Sequence, residues 1–138
     1  MALQRSIEKL SAVPKNNLSL GRFAEDCAVD LLKKSNYKIL ARNYRTKLGE
    51  IDIVATDKDT ICFVEVKMRR TERFGSPLDS ISRFKQRQIS KAALIYLKKN
   101  KLLDKKARFD VVSMIYLNNS PQINLIKNAF ELEERYAV

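Results

Sequence analysis

The stretch Gly49-Glu50-Ile51-Asp52-Ile53-Val54, followed by Ile61-Cys62-Phe63-Val64-Glu65-Val66-Lys67, decides how this chain folds. Both runs are rich in Ile and Val, which fit the pleated surface of a β-sheet. The residues between the runs include Asp57-Lys58-Asp59-Thr60, and Asp and Thr are suited to turns. The sequence therefore predicts two antiparallel strands joined as a β-hairpin.

Two charged residues of the second run fall on an apolar face of the predicted hairpin. Because side chains alternate between faces along a strand, Glu65 and Lys67 share a face with Ile61 and Phe63. One alternative is a solvated strand face on which Glu65 simply pairs with Lys67. The apolar neighbours argue against it, because an isolated charge buried beside them would be costly.

The length of the hairpin loop sets which acidic residues meet. A loop of two residues (58–59) or four residues (57–60) pairs positions whose numbers sum to 117, which places Asp52 opposite Glu65. A loop of three residues would instead set Glu65 opposite Ile53. Opposite residues have Cβ atoms about 4.5–5.5 Å apart, where two carboxylates repel unless a cation lies between them. Mg²⁺ is the natural candidate, since it takes one or two carboxylates together with waters and substrate phosphate.

Composition describes one soluble domain. The chain has 138 residues, of which 45% are hydrophobic and 31% charged, as is typical of globular proteins. No apolar run approaches the roughly 20 residues of a membrane span, and the N-terminus lacks the apolar core of a signal peptide. We therefore expect a cytoplasmic protein with no membrane partner.

The net charge of +11, from 27 Lys and Arg against 16 Asp and Glu, suits a polyanionic partner. Each Lys or Arg placed on a phosphate releases condensed counterions, which favours binding to nucleic acid. A protein that is merely basic is the alternative. Two acidic residues set together in a basic chain favour the nucleic-acid interpretation.

Missing residue types exclude several chemistries. The chain has no His, which excludes Ser-His-Asp hydrolysis and His-ligated zinc, and its three Gly form no phosphate-binding loop. Cys27 and Cys62 stand among apolar residues without a CxxC pattern. We predict that both are reduced core thiols.

The order of elements predicts one α/β domain over residues 18–138, preceded by an N-terminal extension over residues 1–17. The predicted elements, in chain order, are a helix over 18–35, a strand over 38–46, the hairpin, a helix over 79–100, a strand over 108–116, a short strand over 122–126 and an irregular or helical tail over 128–138.

Both predicted helices place polar residues close to their apolar stripes. The first stripe consists of Leu20, Ala24, Cys27, Ala28 and Leu31, with Leu32 at its margin; the second consists of Ile81, Phe84, Ile89, Ala92, Ile95 and Tyr96. Glu25 lies at the edge of the first stripe, where it can reach inward or point to water. Lys85 and Gln88 lie within the second stripe, where they either contact a site at the hairpin or snorkel to solvent.

Two basic segments flank the hairpin. Arg42, Arg45 and Lys47 end the strand before it, and Arg69, Arg70 and Arg73 follow it in a loop closed by Gly75-Ser76-Pro77. Such segments beside a carboxylate site can hold a phosphate backbone. A solvated loop would have a similar composition.

These residues resemble the PD-(D/E)XK nuclease superfamily, whose core has an acid on an opening helix, an Asp on one hairpin strand and E-x-K on the next. More closely, the chain is similar to the YraN-type bacterial family, which is itself similar to archaeal Holliday-junction resolvases. The matching segments are Gly21-Arg22-Phe23-Ala24-Glu25, Asn43-Tyr44-Arg45, Gly49-Glu50-Ile51-Asp52, Phe63-Val64-Glu65-Val66-Lys67-Met68-Arg69, Phe74-Gly75-Ser76-Pro77, Arg108-Phe109-Asp110-Val111-Val112 and Asn128-Ala129-Phe130.

The resemblance implies a restriction-endonuclease-like core: a mixed five-stranded sheet flanked by two main helices, in the order α-β-β-β-α-β-β. It implies that Asp52 and Glu65 bind Mg²⁺ or Mn²⁺, joined by the main-chain carbonyl of Val66. It assigns Lys67 to the attacking water or the scissile phosphate, and Glu25 to the metal site, directly or through water. The segment G-E-I-D matches Asp52 rather than Glu50, which belongs in an outer shell.

The resulting functional expectation is a metal-dependent endonuclease that hydrolyses nucleic acid, with DNA favoured and branched DNA as one option. Arg42, Arg45, Lys47, Arg69, Arg70, Arg73, Lys85 and Gln88 are the expected nucleic-acid-binding residues. A homodimer is expected by analogy with resolvases only. The alternatives are a nucleic-acid-binding module on a nuclease scaffold without turnover, and a protein-interaction domain.

Overall fold

The computed structural model describes residues 17–69, 81–117 and 120–131, with only the backbone of residues 17–19, 116, 117, 120 and 121. Its elements are helix α1 (Asn17–Lys34), strands β1 (Tyr37–Arg45), β2 (Glu50–Asp57) and β3 (Thr60–Arg69), helix α2 (Arg83–Lys99), and strands β4 (Ala107–Leu117) and β5 (Ser120–Phe130).

The five strands form one mixed sheet in the order β1-β2-β3-β4-β5. Neighbouring strands are antiparallel except β3 and β4, which are parallel because α2 carries the chain across the sheet between them. The predicted α/β fold, with five strands and two main helices in the order α-β-β-β-α-β-β, is confirmed. In the part of the chain that the structure describes, neither helix is long and apolar enough to cross a membrane.

Each helix covers one face of the sheet with its own hydrophobic cluster. On the α1 face, Leu32 and Cys27 pack with residues that include Ile53 and Val64. On the α2 face, Ile89, Ala92, Ala93 and Leu97 pack with Ile51, Val54, Ile61, Phe63 and Phe109. The strands at the centre of the sheet are thereby apolar on both faces.

Both cysteines are buried and in the reduced thiol form, as predicted. Burial is the main reason that the pKa of the Cys62 thiol rises to about 12, with the charge of Asp110 adding to it. The thiol is therefore protonated at neutral pH and does not act as a nucleophile.

The hairpin has the predicted register. Its loop is the two residues Lys58 and Asp59, and the β2–β3 ladder runs from Asp57–Thr60 to Ile53–Val64, so paired numbers sum to 117. Lys58 takes the tight turn with a φ of 58°. The register in which Glu65 would face Ile53 does not occur.

The predicted C-terminal tail is wrong at its start. Residues 128–130 belong to β5, which is a long strand rather than the short one predicted over 122–126. The Asn128 N–H donates a hydrogen bond to Asp110 Oδ1 (2.9 Å), and the Phe130 ring stacks on Phe109 at 4.7 Å. These contacts to β4 extend β5 to residues that have no clear alternation of apolar and polar side chains.

Other boundary predictions differ or lie outside the described residues. The last strand begins before its predicted start at residue 122, because Ser120 and Pro121 already belong to β5. The N-terminal extension falls outside the described residues, except that Asn17 already begins α1. The predicted start of the second helix at residue 79 is also outside them, and α2 begins at Arg83 after the N-cap Ser82.

The helix stripes need two corrections. Leu32 is fully buried rather than marginal, because it lies one turn after Ala28 on the same face. Phe84 is 62% exposed, because at 100° per residue it lies about 140° around the helix from the buried Ile89. Lys85, four residues before Ile89, takes the inward direction instead.

A hydrogen-bond network ties four strands together near the hairpin loop. Arg108 donates to Asp110 (3.0 Å), to Asp57 (2.7 Å) and to the Tyr37 hydroxyl (2.9 Å). Tyr37 in turn donates to Asp110 (2.8 Å), which is fully buried. Lys127 of β5 adds a second donor to Asp57 at 3.2 Å. The network joins β1, β2, β4 and β5, and it lies at the opposite end of β2 from Asp52.

Candidate metal centre

In strands β1 and β2, the face of the sheet to which the side chains point changes at Asn43 and Asp52. Ile53 packs on the α1 face, whereas Ile51, only two residues away, packs on the α2 face. In a regular strand these two side chains would share a face. Asn43 lies between the pairs Arg42–Ile53 and Tyr44–Ile51 and has a φ of 51°. Asp52 therefore lies at the point where β2 passes from the α1 face to the α2 face of the sheet.

Asp52 occupies the position where β2 leaves β3. The ladder between the two strands ends at Ile53–Val64, and the Val66 N–H donates to Asp52 Oδ2 at 2.8 Å. In a β-strand the N–H and C=O of one residue point to the same edge. The Val66 carbonyl is therefore directed towards the same gap as its N–H.

Glu65 is a buried acid, 5% exposed, beside Asp52. Its pKa rises to about 8, first because burial disfavours the carboxylate and second because of the charge of Asp52. Lys85 of α2 opposes this rise, with its Nζ 3.9 Å from Glu65 Oε1, and so does the charge of Lys67. Both lysines thus lie close to the acidic pair, and for Lys85 this is the first of the two placements that the sequence left open.

Glu25 approaches the same point from α1. Its Oε1 is shielded from solvent and has no hydrogen-bond partner within the described residues. Burial raises its pKa, and the charge of Asp52 adds to that rise. A pocket of about 320 Å³ is lined by Glu25, Asp52, Val66 and Lys67 together with α1 residues. Glu25 therefore points inward, the first of the two directions open to it.

The donor set suits a hard divalent cation with few protein ligands. Within residues 17–69, 81–117 and 120–131, no three Cys, Asp or Glu side chains form a metal-binding group. Asp52, Glu65 and the Val66 carbonyl offer two carboxylates and one carbonyl, and Mg²⁺ ordinarily keeps several waters. The shielded Glu25 oxygen is a ready acceptor for such a water.

The predicted nucleic-acid-binding residues have unequal surroundings. Arg42 is held by Asp26 at 2.7 Å, and Arg45 lies 3.7 Å from Glu50 on the surface. Glu50 is exposed, and its charge contributes to the raised pKa of Glu25. Lys47 is exposed and Arg69 is partly buried at the end of β3. Arg70 and Arg73 lie outside the described residues.

The main chain of Gln88 lies close against the turn between β1 and β2. A Cβ added at Gly49 would lie 2.5 Å from the Gln88 carbonyl oxygen, so only glycine allows this approach. The turn itself is closed by Thr46, whose hydroxyl accepts from the N–H groups of Leu48 and Gly49, each at 3.1 Å.

Sequence reasoning missed Asn43 as a positioning residue. The available signal was an Asn inside a predicted strand, since Asn adopts positive φ more readily than most residues.

Comparison with known proteins identifies the family. The family model described as "Uncharacterised protein family UPF0102" matches residues 24–114. A "UPF0102 protein" of Geobacter metallireducens is 54% identical over 117 residues, covering 85% of this chain and 96% of the relative. One from Geotalea uraniireducens is 54% identical with 85% and 93% coverage, and one from Clostridium kluyveri is 43% identical with 84% and 97%. The YraN-type family predicted from the sequence is thus confirmed, and the chain belongs to the UPF0102 family.

Proposed function

We propose that this protein is a metal-dependent endonuclease that hydrolyses phosphodiester bonds in nucleic acid, with DNA favoured. The observation that carries the proposal is the meeting of Asp52 and Glu65 at the end of the β2–β3 ladder, with lysines beside them. Two acids held together in a basic protein are costly unless a cation joins them. The proposal gives that cation a role in the chemistry.

Mg²⁺ or Mn²⁺ would be held by Asp52, Glu65 and the Val66 carbonyl. When bound there, it would supply a more acidic water and neutralise charge on the phosphate. Asp52 is kept in place by the Val66 N–H, and Glu65 is kept in place by burial between the sheet and α2. Glu25 would orient a water in the pocket through its shielded oxygen.

The two lysines would serve the phosphate. Lys67 lies on the face of Glu65, two residues along the strand, where its ammonium can hold the attacking water or a phosphoryl oxygen. Lys85 approaches Glu65 from α2. A cation bound between the carboxylates would compete for Glu65 and leave Lys85 available for the scissile phosphate.

Cleavage assays with matched variants test the proposal. Purified protein would be incubated with Mg²⁺ or Mn²⁺ and with branched, single-stranded and duplex DNA and RNA. Asp52→Asn keeps an acceptor for the Val66 N–H but removes the charge, and we expect it to lower the rate by about 100-fold or more. Lys67→Ala is expected to have a similar effect.

Asp104→Asn, in an exposed loop, is the control for loss of one carboxylate and is expected to cleave like the unmodified protein. Cleavage that survives Asp52→Asn and Lys67→Ala unchanged would come from a contaminant, and the proposal would fail.

A nucleic-acid-binding module without turnover is the second candidate. The Lys85–Glu65 contact favours it, because an ammonium already stands beside the buried acid where a metal would otherwise be needed. Such a module would bind DNA with a steep dependence on salt but would not need Mg²⁺. Titration of Mg²⁺ into the binding assay separates the two candidates.

A further inference from the structure

An exposed aromatic ring lies beside the candidate metal centre. Phe84 is in the first turn of α2 and is 62% exposed. The next residue, Lys85, reaches to 3.9 Å from Glu65 Oε1. The ring therefore belongs to the residue next to a side chain that reaches the acidic pair, yet it takes no part in the hydrophobic clusters of the described residues.

The direction of Phe84 follows from the contact between α2 and the β1–β2 turn. Phe84 and Gln88 are four residues apart and share a face of the helix. The Gln88 Cβ would lie only 3.1 Å from a Cβ added at Gly49, so this face is turned towards the turn. Leu48, the neighbour of Gly49, is 51% exposed. Two exposed apolar side chains thus border the same side of the site.

The surroundings of these apolar side chains are basic. Arg45 and Lys47 belong to the turn side, and Arg83 and Arg87 flank Phe84 on α2. A suitable ligand must combine negative charge with flat apolar surface. Nucleic acid with unpaired bases has both, whereas in a continuous duplex the base faces are covered by their stacked neighbours.

We propose that Phe84 stacks on an unpaired base, so that the preferred nucleic acid carries single-stranded nucleotides next to the site. Leu48 supports the same base or its neighbour through apolar contact. The statement about a preferred substrate rests on the proposed function, but binding of the unpaired segment does not require cleavage.

Binding measurements in a non-cleaving background test this inference. In the Asp52→Asn protein, fluorescence anisotropy would compare a labelled duplex carrying a single-stranded flap with the same sequence fully paired. We expect Phe84→Ala to weaken flap binding by about 5- to 150-fold, the change that corresponds to the loss of one base–aromatic stack, and to change duplex binding by less than about twofold. Phe84→Trp should retain flap binding, and Phe84→Leu should not.

Leu103→Ala is the matched control, because Leu103 is 56% exposed but follows the other end of α2. It is expected to leave flap binding unchanged. Equal effects of Phe84→Ala on flap and duplex, or full binding by Phe84→Leu, would overturn stacking. A change in self-association without a change in flap binding would identify an interface between copies of the chain and would also overturn it. Phe84-dependent flap binding in a protein that never cleaves would uphold this inference while the proposed nuclease activity fails.

Discussion

Glu65 is the residue at which folding and the proposed chemistry conflict. It is buried, it lies beside the carboxylate of Asp52, and its pKa is raised to about 8 by burial and by that charge. Such a group destabilises the metal-free fold at neutral pH, because the unfolded chain would ionise it freely. Functional sites commonly carry this kind of cost.

Glu65→Gln is therefore expected to stabilise the metal-free protein while abolishing its response to metal. In EDTA at pH 7.5 we predict an increase of about 1–3 kcal/mol in the free energy of unfolding, because a neutral amide replaces a buried acid that lies beside another carboxylate. Mg²⁺ should raise the Tm of the unmodified protein by binding the native state, and it should leave the Tm of Glu65→Gln unchanged. Differential scanning calorimetry with and without Mg²⁺ measures both effects.

Glu50→Gln makes the same chemical change on an exposed neighbour and should alter stability by less than about 0.5 kcal/mol. If Glu65→Gln instead lowered stability, the contact between Lys85 and Glu65 would be a structural ion pair. The binding module without turnover would then be the better description of the site.

At the scale of single elements, the twist of the β1–β2 ribbon depends on one backbone conformation. Asn43 has a φ of 51°, which costs most residues about 1–2 kcal/mol and is worst for β-branched side chains. We predict that Asn43→Val destabilises the protein by about 1–3 kcal/mol. It should also lower metal-dependent cleavage, because the Asp52 carboxylate would no longer be held where the strand changes face. Asn43→Gly, which tolerates positive φ, should retain both properties.

Urea unfolding and the cleavage assay provide the readouts for Asn43. Lys38→Val, at an exposed position of β1 with ordinary φ, controls for the introduction of a β-branched residue. Equal stability of Asn43→Val and Asn43→Gly would mean that the positive φ is not required for the ribbon to turn over.

The β1–β2–β3 region shows which part of the site could be predicted from the sequence and which part could not. Period-two alternation and a short polar loop aligned Asp52 with Glu65 for a loop of two or four residues, but a loop of three residues would have aligned Ile53 with Glu65, because the register of a hairpin depends on its loop length. Alternation assumes regular strands, however, and carries no sign that both strands change face at Asn43. The exposure of Phe84 was missed because Phe84 was assigned to the apolar stripe although it lies about 140° around the helix from Ile89.

At the scale of the whole molecule, the fold was predictable because each element has strong local signals and the family segments span most of the chain. The end of β5 was not, because residues 128–130 are held by tertiary contacts. Asn128 reaches Asp110, and Phe130 reaches Phe109, both on β4. Sequence patterns report neighbours along the chain, and these partners are about 20 residues away.

The network around Arg108 predicts how stability of the whole sheet depends on pH. Asp57 accepts from Arg108 at 2.7 Å and from Lys127 at 3.2 Å, and these hydrogen bonds hold its pKa below the ordinary value of 3.8. A lowered native pKa means that the ionised form stabilises the fold above the unfolded pKa. That contribution is lost as the pH falls through the native pKa, when the carboxylate takes up a proton.

Asp57→Asn is accordingly expected to lower the free energy of unfolding at pH 7 by about 1 kcal/mol, because hydrogen bonds to a charged acceptor become neutral ones. The difference from the unmodified protein should shrink as the pH falls below about 3.8. Urea unfolding at a series of pH values from 7 to 2.5 measures it. Asp59→Asn, an exposed change in the same hairpin, controls for loss of a surface charge. A difference that stayed constant with pH would show that Asp57 acts through packing, and that the ionised carboxylate does not tie the four strands together.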